Sequence, residues 1–239
     1  MIAAAVLWHD LECGGYDADL PLWRELAAAA GGPVLDVGAG TGRVSLDLAR
    51  RGAEVVALDA DGALLDALAG RAGALSLSTV CADARDFALG RRFALIIVPM
   101  QSVQLFGGAE GRAAFLRCAR EHLAAGGRLA LAISPVLEPG GGEPGGEPLT
   151  DLREIDGVVY SSRPVAVYGD GGRIAIERLR EVVSPDGQRE ASDDVVWLDR
   201  VDAVTLMAEG EAAGLRALPL RLVPETAEYV GSTVVMLGG

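Results

Sequence analysis

The sequence predicts an α/β protein built on a parallel, doubly wound sheet, with an antiparallel β insert late in the chain. Three observations predict it. Apolar strand-like runs alternate with helical stretches between about residues 33 and 134, and that alternation is the pattern of successive βα units. The run Phe93-Ala94-Leu95-Ile96-Ile97-Val98 is apolar without a break, as a central strand covered on both faces must be. From about residue 157 the pattern changes to long strands joined by tight glycine turns, which reads as antiparallel pairing.

The elements follow in order. Residues 1–32 read as an N-terminal lid and a helix. The apolar opening lacks a positive lead and runs into acids, so no signal peptide is expected there. The helix over 19–30 places Leu22, Trp23 and Leu26 on one side. Asp19 and Pro21 are expected to start it and Gly31-Gly32 to stop it. Strands are expected near 33–37, 54–59, 75–81, 93–99 and 127–134, with helices near 42–51, 61–72 and 109–125. Arg50-Arg51-Gly52 suits the end of the first of these helices, and Asp61 caps the second. Residues 138–148 are a Gly/Pro/Glu-rich low-complexity loop, read as mobile and as a gate. Strands at 157–168, 173–183 and 190–198 follow, with turns at 169–172 and 185–187. A helix over 199–213 has Val201, Val204, Ala208 and Ala212 at helical spacing. Strands at 215–223 and 232–237 close the chain.

Composition excludes several function classes. The 239 residues carry 21 cations and 34 acids, a formal charge of −13. Every cation is arginine; lysine and asparagine are absent. Without lysine there is no Schiff base and no P-loop lysine. An acidic chain with no basic stripe repels phosphate backbones, so nucleic acid is not expected as a partner. Cys13, Cys81 and Cys118 stand far apart; a sparse, odd count reads as reduced thiols in the cytoplasm. His9 and His122 are too distant in sequence to suggest a metal site. No run approaches the ~20 apolar residues of a membrane span.

The segment Val34-Leu35-Asp36-Val37-Gly38-Ala39-Gly40-Thr41-Gly42-Arg43 carries the chemistry. An apolar strand ends in an acid and then in three alternate glycines, which let a ligand lie against the main chain. A dinucleotide fingerprint needs glycine at the first, third and sixth positions, and the sixth from Gly38 is Arg43. Asp36 disfavours a pyrophosphate and suits a ligand that carries an ammonium group. The start of the next helix, near Gly42, suits a carboxylate. The segment resembles the first motif of the class I S-adenosylmethionine-dependent methyltransferases, of the small-molecule type. That resemblance implies a Rossmann-like, seven-stranded sheet, mostly parallel with its last strand antiparallel, and S-adenosylmethionine as cofactor.

The same resemblance implies a set of contacts. Asp36, Gly38, Ala39, Gly40, Gly42 and Arg43 form the loop that holds the methionine end. Asp59, at the tip of the second strand, accepts from the ribose hydroxyls, with Ala60 beside it. Asp83 accepts from the adenine amino group, and Ala82 and Ala84 pack on the ring. Pro99 and Met100 lie over the sulfonium, Met100 standing where an aromatic residue is familiar. Gln101 and Ser102 are substrate contacts; for Gln104, ligand contact and loop hydrogen bonding are equally open. Tyr16, in the segment expected to fold over the cofactor, is a catalytic or substrate-binding candidate.

Methyl transfer is an in-line displacement, so alignment and exclusion of water matter more than a strong catalytic group. A hydroxyl acceptor needs a base, and His9 is the candidate, with lid packing as its alternative. His122 reads as a packing residue. Arg163, Arg173, Arg178 and Arg180 of the insert either hold an anionic substrate or stand on solvent-facing strands. The expected organisation is a lid and helix at 1–32, a cofactor-binding core at 33–137 and 199–239, and at 138–198 a loop plus insert serving as substrate lobe or dimer surface. The expected function is methyl transfer to an oxygen or nitrogen of a small molecule, by a monomer or homodimer. The alternatives are a nicotinamide-dependent oxidoreductase and a non-catalytic nucleoside-binding protein.

Overall fold

The computed structural model describes residues 3–134, 150–227 and 229–239. The low-complexity loop at 138–148, and the gate expected of it, lie outside these residues. The chain forms two compact units, one of residues 1–15 with 136–200 and the other of residues 16–135 with 201–239. The boundary after Gly15 therefore falls inside the segment expected as a single lid and helix. No described helix is long and apolar enough to cross a membrane.

The smaller unit holds helix α1 (Ala4–Cys13) and strands β6 (Asp151–Ile155), β7 (Val158–Asp170), β8 (Arg173–Val183) and β9 (Arg189–Asp199). The strands form an antiparallel sheet in sequence order. Two of these elements depart from expectation. The apolar opening forms a helix, and β6 adds a strand before the first one expected. Asp156 and Gly157, between β6 and β7, have φ of 52° and 79°. Two successive left-handed residues make the tight turn that joins hairpin strands.

The larger unit contains α2 (Leu20–Ala30), β1 (Val34–Val37), α3 (Arg43–Arg50), β2 (Val55–Asp59), α4 (Gly62–Ala72), β3 (Leu77–Cys81), β4 (Phe93–Val98), α5 (Gly108–His122), β5 (Leu123–Ile133), α6 (Ala203–Ala212), β10 (Arg216–Val223) and β11 (Ser232–Gly238). Its seven strands run in the order β10-β11-β5-β4-β1-β2-β3. The pairs β1–β2, β1–β4, β2–β3 and β4–β5 are parallel, and β11 alone runs against its neighbours. The winding reverses between β1 and β4. In open α/β sheets a crevice forms at such a reversal, outside the carboxyl ends of the strands.

Both faces of this sheet are covered, as the unbroken apolar runs require. Leu35, Val37, Ile96 and Val98 pack into one core with Phe115 and Leu116 of α5. Their alternates Val34, Leu95 and Ile97 pack into the other with Trp23 of α2 and Val44 and Leu48 of α3. The two-residue period of a strand divides the run between the two layers.

Several boundaries move for identifiable reasons. Asp61 caps α4 as expected, accepting from Ala63 N at 2.8 Å. Asp19 does not cap α2; its carboxylate makes no cap bond and turns to Arg43 and Trp23 instead. The helix expected to reach residue 125 ends at His122, and Leu123 is already extended and paired with Phe93. The helix expected from residue 199 starts at Ala203, where the Asp202 carboxylate accepts from Thr205 N; Asp199 ends β9.

Candidate active site

The glycine loop sits between β1 and α3, at the carboxyl end of β1. Gly38, Gly40 and Gly42 all have positive φ, of 73°, 54° and 93°. The amides of Gly38 and Ala39 donate to Leu58 O at 2.8 and 3.1 Å, and Gly40 N donates to Asp59 Oδ2 at 2.8 Å. Two of the glycines are also demanded by the chain's own packing. A Cβ on Gly38 would stand 2.7 Å from Ser102 Oγ, and one on Gly42 would stand 2.1 Å from Leu68 Cδ1. The loop is therefore pressed between the end of β4 and helix α4 before any ligand is considered.

Asp36 is incompletely satisfied, as are the Tyr16 hydroxyl and Ser134 Oγ. Asp36 is 1% exposed. Its Oδ2 accepts from Ser45 Oγ at 2.6 Å, while its buried Oδ1 has no hydrogen-bond partner. Burial pushes its pKa up to about 6, against the Ser45 hydrogen bond and the Arg43 charge; Asp59 and Asp19 add to the rise. A buried carboxylate oxygen without a donor costs free energy unless a ligand supplies one.

The next two strands each present an acid. Asp59, at the end of β2, accepts from Gly40 N with Oδ2 and from Asp61 N at 2.9 Å with Oδ1. Each oxygen keeps a lone pair for a further donor. Ala60 beside it is exposed. Asp83, past the end of β3, is exposed and already held by Arg85, whose Nη2 donates at 2.6 Å and whose backbone N donates at 2.8 Å. Those bonds draw its pKa down to about 2. Ala82 and Ala84 flank it, half-buried against the core. Asp83 is a candidate from the sequence; its arginine partner two residues on was not foreseen.

The end of β4 completes the crevice. Register pairs Asp36 with Ile97, so the residues after β4 lie next to the glycine loop. Met100 has φ of 55°, a left-handed conformation that a non-glycine residue seldom adopts. Pro99 is buried, and Met100, Gln101 and Ser102 are half-buried. Ser102 Oγ donates to Pro99 O at 3.1 Å. Gln104 is buried and accepts from Ser134 N at 3.0 Å, which gives it a role in holding the loop.

The residues ahead of α2 reach the same loop from its other end. The Arg43 guanidinium donates to Tyr16 O at 2.8 Å and to both carboxylate oxygens of Asp19. It lies over the Tyr16 ring, 5.0 Å from the centroid. Arg43 thus spends its side chain on the protein, leaving its backbone to face a ligand. Tyr16 is buried, with its ring against Tyr229. Burial and the Asp19 charge push its phenol pKa up, while Ser232 and Arg43 pull against them.

His9 is on α1 in the smaller unit. His122 is structural, as expected: Nε2 accepts from Leu89 N at 3.0 Å, and Nδ1, 2.7 Å from Cys118 O, is placed to donate to it. The insert arginines follow neither expectation uniformly. Arg178 and Arg180 are under a fifth exposed and bind Glu12, with Asp151 and Asp194 as further partners. Their charge is neutralised within the unit, which leaves little to hold an anionic substrate. No cluster of metal-binding side chains occurs among the described residues.

Comparison with known proteins agrees with this geometry. A family model described as a methyltransferase domain matches residues 34–127. No curated protein matches the chain by sequence. Among solved structures, the sugar N-methyltransferase KedS8 from Streptoalloteichus superposes with a TM-score of 0.75 at 22% identity, covering 98% of this chain and 93% of that one. CalS10 from Micromonospora echinaspora, an amino pentose methyltransferase solved with bound S-adenosylmethionine, gives 0.72 at 22% identity over 99% and 98%. The glycopeptide N-methyltransferase MtfA, with S-adenosyl-L-homocysteine, gives 0.64 at 21% identity over 91% and 86%. At these identities the likeness establishes the fold. The strand order, the glycine loop and the family match converge: residues 34–127 match a methyltransferase domain, and the fold is that of S-adenosylmethionine-dependent methyltransferases.

Proposed function

We propose that this protein transfers a methyl group from S-adenosylmethionine to a nitrogen of a small, sugar-like acceptor. The observation that carries the cofactor assignment is the buried, unpartnered Oδ1 of Asp36 beside the glycine loop. An ammonium group of the ligand would supply the donor this oxygen lacks. The N-terminus of α3, with its helix dipole, suits the ligand's carboxylate. Asp59 would accept from the ribose hydroxyls with its remaining lone pairs. Asp83 would share its carboxylate between Arg85 and the adenine amino group, with Ala82 and Ala84 beside the ring.

When bound, S-adenosylmethionine supplies the electrophilic methyl group. The protein aligns the acceptor and excludes water. Pro99, Met100, Gln101 and Ser102 are the residues for that task, with Tyr16 closing the site from the N-terminal side. The acceptor is assigned as an amine because sugar and glycopeptide N-methyltransferases share the fold. A neutral amine also needs no general base, and the turn after β4 offers amide and hydroxyl groups. On this reading His9 is dispensable, and His9→Ala retains activity. The acidic balance favours a small molecule over nucleic acid. Three free cysteines suit a reducing compartment, which we take to be the cytoplasm.

The test is a product screen. The protein is incubated with S-adenosylmethionine and matched pairs of amino and hydroxy sugars, and methylated product is read by mass spectrometry. A mass gain on the amino member alone supports the proposal. Turnover confined to the hydroxy members would contradict it.

A further inference from the structure

Asp19 ties the chain ahead of α2 to the cofactor loop. Its carboxylate is 2% exposed and accepts from Arg43 Nη1 at 2.5 Å, Arg43 Nη2 at 2.8 Å and Trp23 Nε1 at 2.8 Å. Trp23 is fully buried against Val34 and Leu48, so this anchor is rigid. Arg43 is the first residue of α3 and directly follows Gly42. Two residues on, Ser45 donates to Asp36 Oδ2. The tether therefore acts on the helix start that follows the loop's last glycine and carries Ser45, a hydrogen-bond donor to Asp36.

We propose that Asp19, acting through Arg43, is a positioning residue for the cofactor: it holds the first turn of α3 where Asp36 is presented to the ligand's ammonium group. The inference rests on the reading of Asp36 given above. A purely structural tether would lower stability when cut and leave the ligand's affinity alone. A positioning tether changes affinity, and it changes the pH dependence of binding, because both partners also act on Asp36 by charge.

The groups that face Asp36 are Arg43 and Ser45 from α3, Asp59 from β2 and Asp19 from ahead of α2. Arg43 draws its pKa down, and Asp59 and Asp19 push it up. An ammonium is held by the ionised carboxylate, so affinity falls as pH drops through the Asp36 pKa. Removing the Arg43 charge must raise that acid limb, and removing the Asp19 charge must lower it.

The experiment is calorimetric titration of the full chain with S-adenosylhomocysteine, which carries the same ammonium, between pH 5 and 8. Three variants are compared with the parent: Asp19→Asn, which can still accept from Trp23; Arg43→Gln; and Arg43→Lys, which keeps the charge and loses the fork. We expect roughly tenfold weaker binding at pH 8 in all three, the equivalent of about one pKa unit. The acid limb moves up for Arg43→Gln, down for Asp19→Asn, and stays in place for Arg43→Lys. Parental affinity and an unmoved acid limb in folded variants, with only a lower melting temperature, would overturn the inference. Failure of the parent to bind would instead bring down the cofactor reading, and this inference with it.

Discussion

Asp36, buried, and Glu12, half-buried, are carboxylates with opposite fates, one in each unit. Each accepts a hydrogen bond from a serine hydroxyl, Ser45 at 2.6 Å and Ser162 at 2.7 Å. Beyond that they diverge. Glu12 receives a two-pronged grip from Arg180, Nε to Oε1 and Nη2 to Oε2, both at 2.8 Å, with Arg178 close by. Burial raises the Glu12 pKa, but the bonds from Arg180 and Ser162 and the two arginine charges outweigh it and hold the group below its ordinary value. Asp36 has one oxygen with no partner, and burial lifts it to about 6. A carboxylate completed within the chain is part of the structure. One left incomplete beside a glycine loop keeps an oxygen that the proposed ligand would satisfy.

The comparison breaks most visibly on Asp36. Asp36→Asn should lower kcat/KM for S-adenosylmethionine by about 100-fold, the loss expected when a charged partner goes. The same variant should be more stable than the parent without ligand. The folded pKa of Asp36 lies above its ordinary 3.8, so its stabilising contribution is present below that value and is lost as pH rises through about 6. Neutralising it recovers up to about 3 kcal/mol at pH 8. Thermal unfolding of the ligand-free protein checks the sign.

Glu12→Gln should do the reverse. It leaves Arg178 and Arg180 without their shared anion and costs about 2 kcal/mol, less than for a fully buried pair because some exposure screens it. A depressed acid stabilises above its unfolded pKa and loses that contribution as pH falls through the folded value. Acidification from pH 6 to 4 should therefore weaken the parent through Glu12 and spare the variant. Hydrogen exchange at the amides of α1 reports on this unit directly. Equal effects from the two substitutions would erase the contrast.

The smallest effect sharpens the ligand side. Cys81 is exposed, and its register partner is Asp59. S-adenosylhomocysteine should slow alkylation of Cys81 severalfold and leave Cys13 and Cys118 unchanged, read by mass spectrometry of labelled peptides. Such protection is a matter of access, so it should follow occupancy and vanish with Asp36→Asn.

The sequence made the larger unit legible because its signals are local. Strand and helix periods, the alternate glycines and the Asp61 cap each lie within a dozen residues of what they determine. What escaped was long-range. Asp19 looks like a helix cap by position, and only the fold brings Arg43 to it. Arg178 and Arg180 looked like free cations because Glu12 stands more than 160 residues away in the chain. Strand β6 was missed although Asp156-Gly157 is a strong hairpin signal; the five residues of β6 show no clear apolar alternation. In the site, the acids and the loop were readable, whereas the missing partner of Asp36 Oδ1 is visible only when every neighbour is in place.

The most direct test of the Asp36 assignment compares two ligands on two proteins. S-adenosylhomocysteine and its analogue lacking the amino group are titrated into the parent and Asp36→Asn. The parent should prefer the amino ligand about 100-fold, the strength of a buried charge-assisted bond, and the preference should collapse in the variant. Undiminished preference in Asp36→Asn would contradict the assignment, because some other group would then be holding the ammonium.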